Sequence, residues 1–62
     1  MMYIEQKIQE LKDEITMAHM IHGDKNGKTT GAALIKKWKR EFPLTAEQIK
    51  ELKAWNNLEF TF

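Results

Sequence analysis

The 62-residue chain contains no cysteine, no serine, a single proline and three glycines. Without thiols it can form neither a disulfide nor a thiolate metal site. Without Ser or Cys it has none of the common hydroxyl or thiol nucleophiles, and no Ser-His-Asp or Cys-His arrangement is arguable. Long apolar runs are also missing. No stretch approaches the roughly 20 apolar residues that cross a bilayer, and no membrane partner is expected. The opening segment MMYIEQKIQELKDE is too charged for a signal peptide. Absent cysteine fits a reducing compartment, so the expected location is cytoplasmic. A net charge of +1 excludes a strong field from the molecule as a whole.

Short length limits the core. A domain of this size buries only about 60% of the surface its unfolded chain exposes, and many such domains lean on disulfides, a metal or a partner. Here the stabilising material is Ile, Leu, Phe, Trp and Met. A second copy of the chain is therefore a candidate partner.

Periodicity points to an all-α fold, a small three-helix bundle in one domain over residues 1–62, with helices at about 3–21, 30–42 and 46–56 and a short extended tail at 58–62. Ile4, Ile8, Leu11, Ile15 and Ala18 recur at alternating spacings of four and three, which is one helical stripe. Gly23 is a natural stop. The composition of Gly23–Lys28, GDKNGK, predicts a loop, with Thr29 or Thr30 capping the next helix. In that helix Gly31, Leu34, Ile35, Trp38 and Phe42 share a face, and Pro43 ends it. Thr45 with Gln48 forms a capping box for the third helix, and Leu44 and Ile49 are placed for a hydrophobic staple. Ile49, Leu52 and Trp55 make its apolar face, and Asn56-Asn57 its C-terminal cap. The tail LEFTF alternates like a strand, with Met2-Tyr3-Ile4 as its candidate partner in the chain; otherwise it folds its aromatics over the bundle or pairs with another molecule. The expected core is Ile4, Ile8, Leu11, Ile15, Leu34, Ile35, Trp38, Phe42, Leu44, Ile49, Leu52 and Trp55.

Site motifs mostly fail on spacing. Gly23 and Gly27 enclose three residues where a phosphate loop needs four, and a helix precedes them where that motif needs a strand. Counting a calcium loop from Asp24 places Lys28, Thr29 and Ile35 where a ligand, a glycine and a glutamate belong. His19, His22 and Asp24 are close in sequence, but histidines near a helix C-terminus are ordinarily dipole-matched side chains. No metal and no cofactor is expected, and the chain is not expected to be an enzyme.

Charge is unevenly placed. Residues 1–24 hold five acids and two lysines, whereas Lys25, Lys28, Lys36, Lys37, Lys39 and Arg40 lie in a stretch with no acid. The expected function is therefore a small regulatory or inhibitory module that binds an acidic protein surface through these six residues. Phe60 and Phe62 of the tail are further candidate contacts. DNA or RNA is the alternative partner for the same cations, although acids at the start of the third helix oppose its entry into a groove.

Overall fold

In the computed structural model, which describes residues 2–60 and the side chains of residues 6–60, the described residues are all-α and form two helices. Helix α1 runs Met2–Glu41 and α2 runs Ala46–Asn56. A straight helix of 40 residues would be about 60 Å long, yet the longest dimension of the molecule is 32 Å. The difference is made at Gly23, whose backbone angles of φ 81° and ψ 163° are not helical. That left-handed φ is open to glycine and costly for other residues. It folds α1 into two arms, residues 2–22 and 24–41, and the second runs back along the first.

The expected three helices thus become two, and the expected six-residue loop becomes a one-residue break. Loop composition misleads here because one of the residues that suggested it, Gly27, does a different job. Gly27 lies against the first arm, where a Cβ would stand 2.5 Å from the Cα of His19 and 2.9 Å from its ring. Gly31 lies against α2, where a Cβ would collide with the Asn56 side-chain amide. Glycine is used at these two positions for close approach inside a helix, and Thr29 and Thr30 are helix-interior residues with no capping role.

The core joins all three helical segments. Ile8, Leu11 and Ile15 from the first arm pack with Ile35 and Trp38 from the second and Leu52 from α2, and Leu34, Phe42, Leu44, Ile49 and Trp55 pack around them. Burying each large apolar side chain contributes about 1.5–3 kcal/mol. Every expected core residue belongs to this cluster except Ile4, whose side chain lies outside the described residues. The capping box forms as expected: the Gln48 N–H donates to Thr45 Oγ1 at 3.1 Å, and the Thr45 N–H donates to Gln48 Oε1 at 2.8 Å. Lys12 pairs with Glu51 and ties the first arm to α2.

No described residue is in a strand. The tail instead folds back over its own helices. Phe60 meets the His19 ring edge-on at 4.9 Å and lies 5.5 Å from the Trp55 ring. Phe62 lies outside the described residues.

Gly27→Ala tests the close approach. An open helix position would gain about 1 kcal/mol from the better helix former. Crowding against the His19 backbone instead predicts a loss of about 1–3 kcal/mol, read from urea unfolding; a stability gain would refute the contact.

Candidate functional site

A buried polar node fixes how α2 sits on α1. His19 is 1% exposed. Its Nδ1 is 3.1 Å from Asp24 Oδ1 and its Nε2 is 2.9 Å from Asn56 Oδ1. The Asn56 Nδ2 donates to the Lys28 carbonyl at 2.9 Å, which turns the amide oxygen toward the imidazole. Both ring nitrogens are therefore engaged, one with Asp24 and the other with Asn56. Asp24 also accepts the Phe60 N–H at 3.2 Å. Its carboxyl is held below its ordinary value of 3.8, chiefly by the His19 hydrogen bond and then by the Phe60 N–H, against the opposing effect of partial burial. Beside this node the Trp55 indole N–H donates to Thr16 Oγ1 at 3.1 Å, and Thr16 in turn donates to the Lys12 carbonyl.

These bonds place the C-terminal half of α2 beside the second arm of α1. Between them lies a groove of about 440 Å³. Ala32 and Ile35 form its apolar floor, Lys36 and Lys39 line it from α1, and Lys53 and Asn56 of α2 line it with Asn57 just past the helix end. None of its lining residues is acidic. Three acids elsewhere have lysine partners: Glu10 pairs with Lys7 at 3.6 Å, Glu51 with Lys12, and Glu59 with Lys28 at 3.9 Å. Among the described residues, Lys25, Lys36, Lys37, Lys39, Arg40, Lys50 and Lys53 form no ion pair.

The structure divides the cations expected to act together. Lys36 and Lys39 enter the groove. Lys37 and Arg40 are exposed on the same arm but do not line it. Lys25 is exposed close to the break, about 16 Å along the helix from Lys36 at 1.5 Å per residue. Lys28 is engaged with Glu59. Phe60 is half-buried against His19 and Trp55. Lys53 was not among the expected site residues, because it lies on another helix and only tertiary packing carries it to Lys36 and Lys39. Asn56 gave no signal beyond its place near a helix end, yet it is a buried link between α1 and α2.

The His19, His22 and Asp24 group does not assemble as a ligand set. His19 has both nitrogens engaged and His22 is exposed. Among the described residues no cluster of three His, Asp or Glu side chains is placed to hold a metal. No helix in the described residues is long and apolar enough to cross a membrane. No protein-family model, curated protein or solved structure matches the chain.

Two variants test the node. Asn56→Ala strands the buried His19 Nε2, at about 1–3 kcal/mol for a group left without a partner, measurable by urea unfolding. Asp24→Asn tests the carboxylate. A carboxyl whose folded pKa lies below its unfolded value stabilises the protein fully above that unfolded value, and the contribution disappears as pH falls through the folded pKa. The stability gap between wild type and Asp24→Asn should therefore narrow as pH drops below about 4. A gap that stays constant down to pH 2 would contradict the Asp24 contacts.

Proposed function

We propose that the protein is a non-enzymatic binding module that docks an acidic protein surface on the face formed by the second arm of α1 and α2. The supporting observation is that Lys36, Lys37, Lys39, Arg40 and Lys53 are without acidic partners while Glu10, Glu51 and Glu59 are taken up elsewhere. Unpaired cations on a folded surface raise its local potential and favour encounter with an oppositely charged patch. Trp38 supports this arrangement. At 3% exposure it belongs to the core, so the cationic side chains around it face outward.

Nucleic acid fits this face less well. The first turn of α2 presents Glu47, and phosphate backbones are repelled by a carboxylate at the helix end that would lead into a groove.

The test compares wild type with a Lys36→Glu/Lys39→Glu/Lys53→Glu variant in cross-linked recovery from the host lysate, with cross-link positions mapped. The expected result is an acidic protein cross-linked at this face to wild type and lost from the variant. A parallel salt titration against random duplex DNA should show no binding that weakens steeply with salt. Equal recovery by both proteins would refute the reading, and tight salt-sensitive DNA binding would replace it with the nucleic-acid one.

A further inference from the structure

We propose that the groove between the second arm of α1 and α2 is a specific site for a phosphate monoester carried on an apolar body. In this site the phosphate lies among Lys36, Lys39 and Lys53, and the organic group rests on Ala32 and Ile35. The inference builds on the reading that this face binds acidic partners, and it narrows that reading to one ligand chemistry at one place.

Three observations carry it. First, the lysines come from two different helices, so their meeting is a product of the tertiary fold and not of helical periodicity along a charged run. Like charges gathered at one place repel and lower stability, and no acid lines the groove to offset them. Second, the charge and shape agree with phosphate. A phosphate monoester bears about −1.5 to −2 charges at neutral pH and has three strong acceptor oxygens, against two oxygens and one charge for a carboxylate. Lysine meets phosphate as a compact point charge, and the exposed Asn57 lines the same groove. Third, the volume of about 440 Å³ falls in the roughly 300–1,000 Å³ range of organic-ligand pockets and leaves room beyond the phosphate itself. The apolar floor is suited to the rest of such a molecule.

A free phosphorylated small molecule and a phosphorylated side chain share this chemistry. The test records amide ¹H–¹⁵N spectra of the full chain during titration with phenyl phosphate, inorganic phosphate, benzoate and a phosphotyrosine tetrapeptide. Phenyl phosphate should give saturable shifts at residues 32–39 and 53–57 and bind more tightly than either inorganic phosphate, which lacks the ring, or benzoate, which lacks the second charge. Lys39→Gln/Lys53→Gln should weaken it about tenfold or more, as expected for losing charge-assisted bonds. Lys37→Gln/Arg40→Gln should bind as wild type does. Thermal unfolding of the groove variant should be unchanged or higher, since repulsion is relieved. A phosphopeptide that binds more tightly than phenyl phosphate assigns the ligand to a protein side chain; one that binds more weakly assigns it to a free small molecule.

Benzoate binding as tight as phenyl phosphate, equal weakening in the Lys37/Arg40 variant, or the absence of saturation would each overturn the inference. Should that happen while the charge-reversed variant still loses its protein partner, the small-ligand site falls and the docking surface stands.

Discussion

The two arms of α1 meet where one of them has no side chain. At Gly27 the second arm lies so near His19 that even a methyl group would strike the opposing backbone, and one turn later Gly31 admits the Asn56 amide. This closeness lets a buried imidazole satisfy itself from Asp24 at one nitrogen and Asn56 at the other. Asn56 in turn holds α2 through the Lys28 carbonyl. A buried polar group is tolerated only when it is hydrogen-bonded, and no buried side-chain polar atom among the described residues lacks a partner. Gly23, Gly27 and Gly31 thus recur every four residues but serve two purposes: the first reverses the chain, and the other two bring it close.

The surface chemistry follows from the same packing. Once α2 is fixed by Asn56, by the Trp55–Thr16 bond and by the Lys12–Glu51 pair, Lys53 has little choice but to share a groove with Lys36 and Lys39. Part of the acidic complement is drawn to other places. Glu51 faces the first arm, Glu59 reaches Lys28 as the tail turns back, and Asp24 is bound into the His19 node. A nearly neutral chain consequently presents an unneutralised cationic strip without any large net field.

Much of the architecture was legible in the sequence, and for physical reasons. The 4-and-3 spacing of Ile8, Leu11 and Ile15, the stripe of Leu34, Ile35 and Trp38, and the Thr45–Gln48 box are local signals that the tertiary structure keeps. The failures are where tertiary contact reassigned a residue. Asp24, Asn26 and Gly27 have the composition of a turn, yet α1 resumes directly after Gly23 because a glycine inside a helix gives up side-chain bulk where contact demands it. The alternating tail has the pattern of a strand, but Phe60 had an aromatic recess waiting between His19 and Trp55. As for the candidate site, Lys36 and Lys39 were legible as part of a cationic run. Lys53 was not, because no local pattern records which residue a neighbouring helix will set beside them.

The two indoles occupy very different surroundings. Trp38 is sealed in the apolar cluster, whereas Trp55 is half-buried, hydrogen-bonded to Thr16, beneath the Lys12 ammonium at 5.2 Å and beside the Phe60 ring. The chain therefore carries a pair of intrinsic optical reporters with separate meanings. Emission from Trp38 follows collapse of the whole bundle, while that from Trp55 senses whether the C-terminal segment is seated, so single-tryptophan forms would distinguish peeling of the tail from melting of the helices.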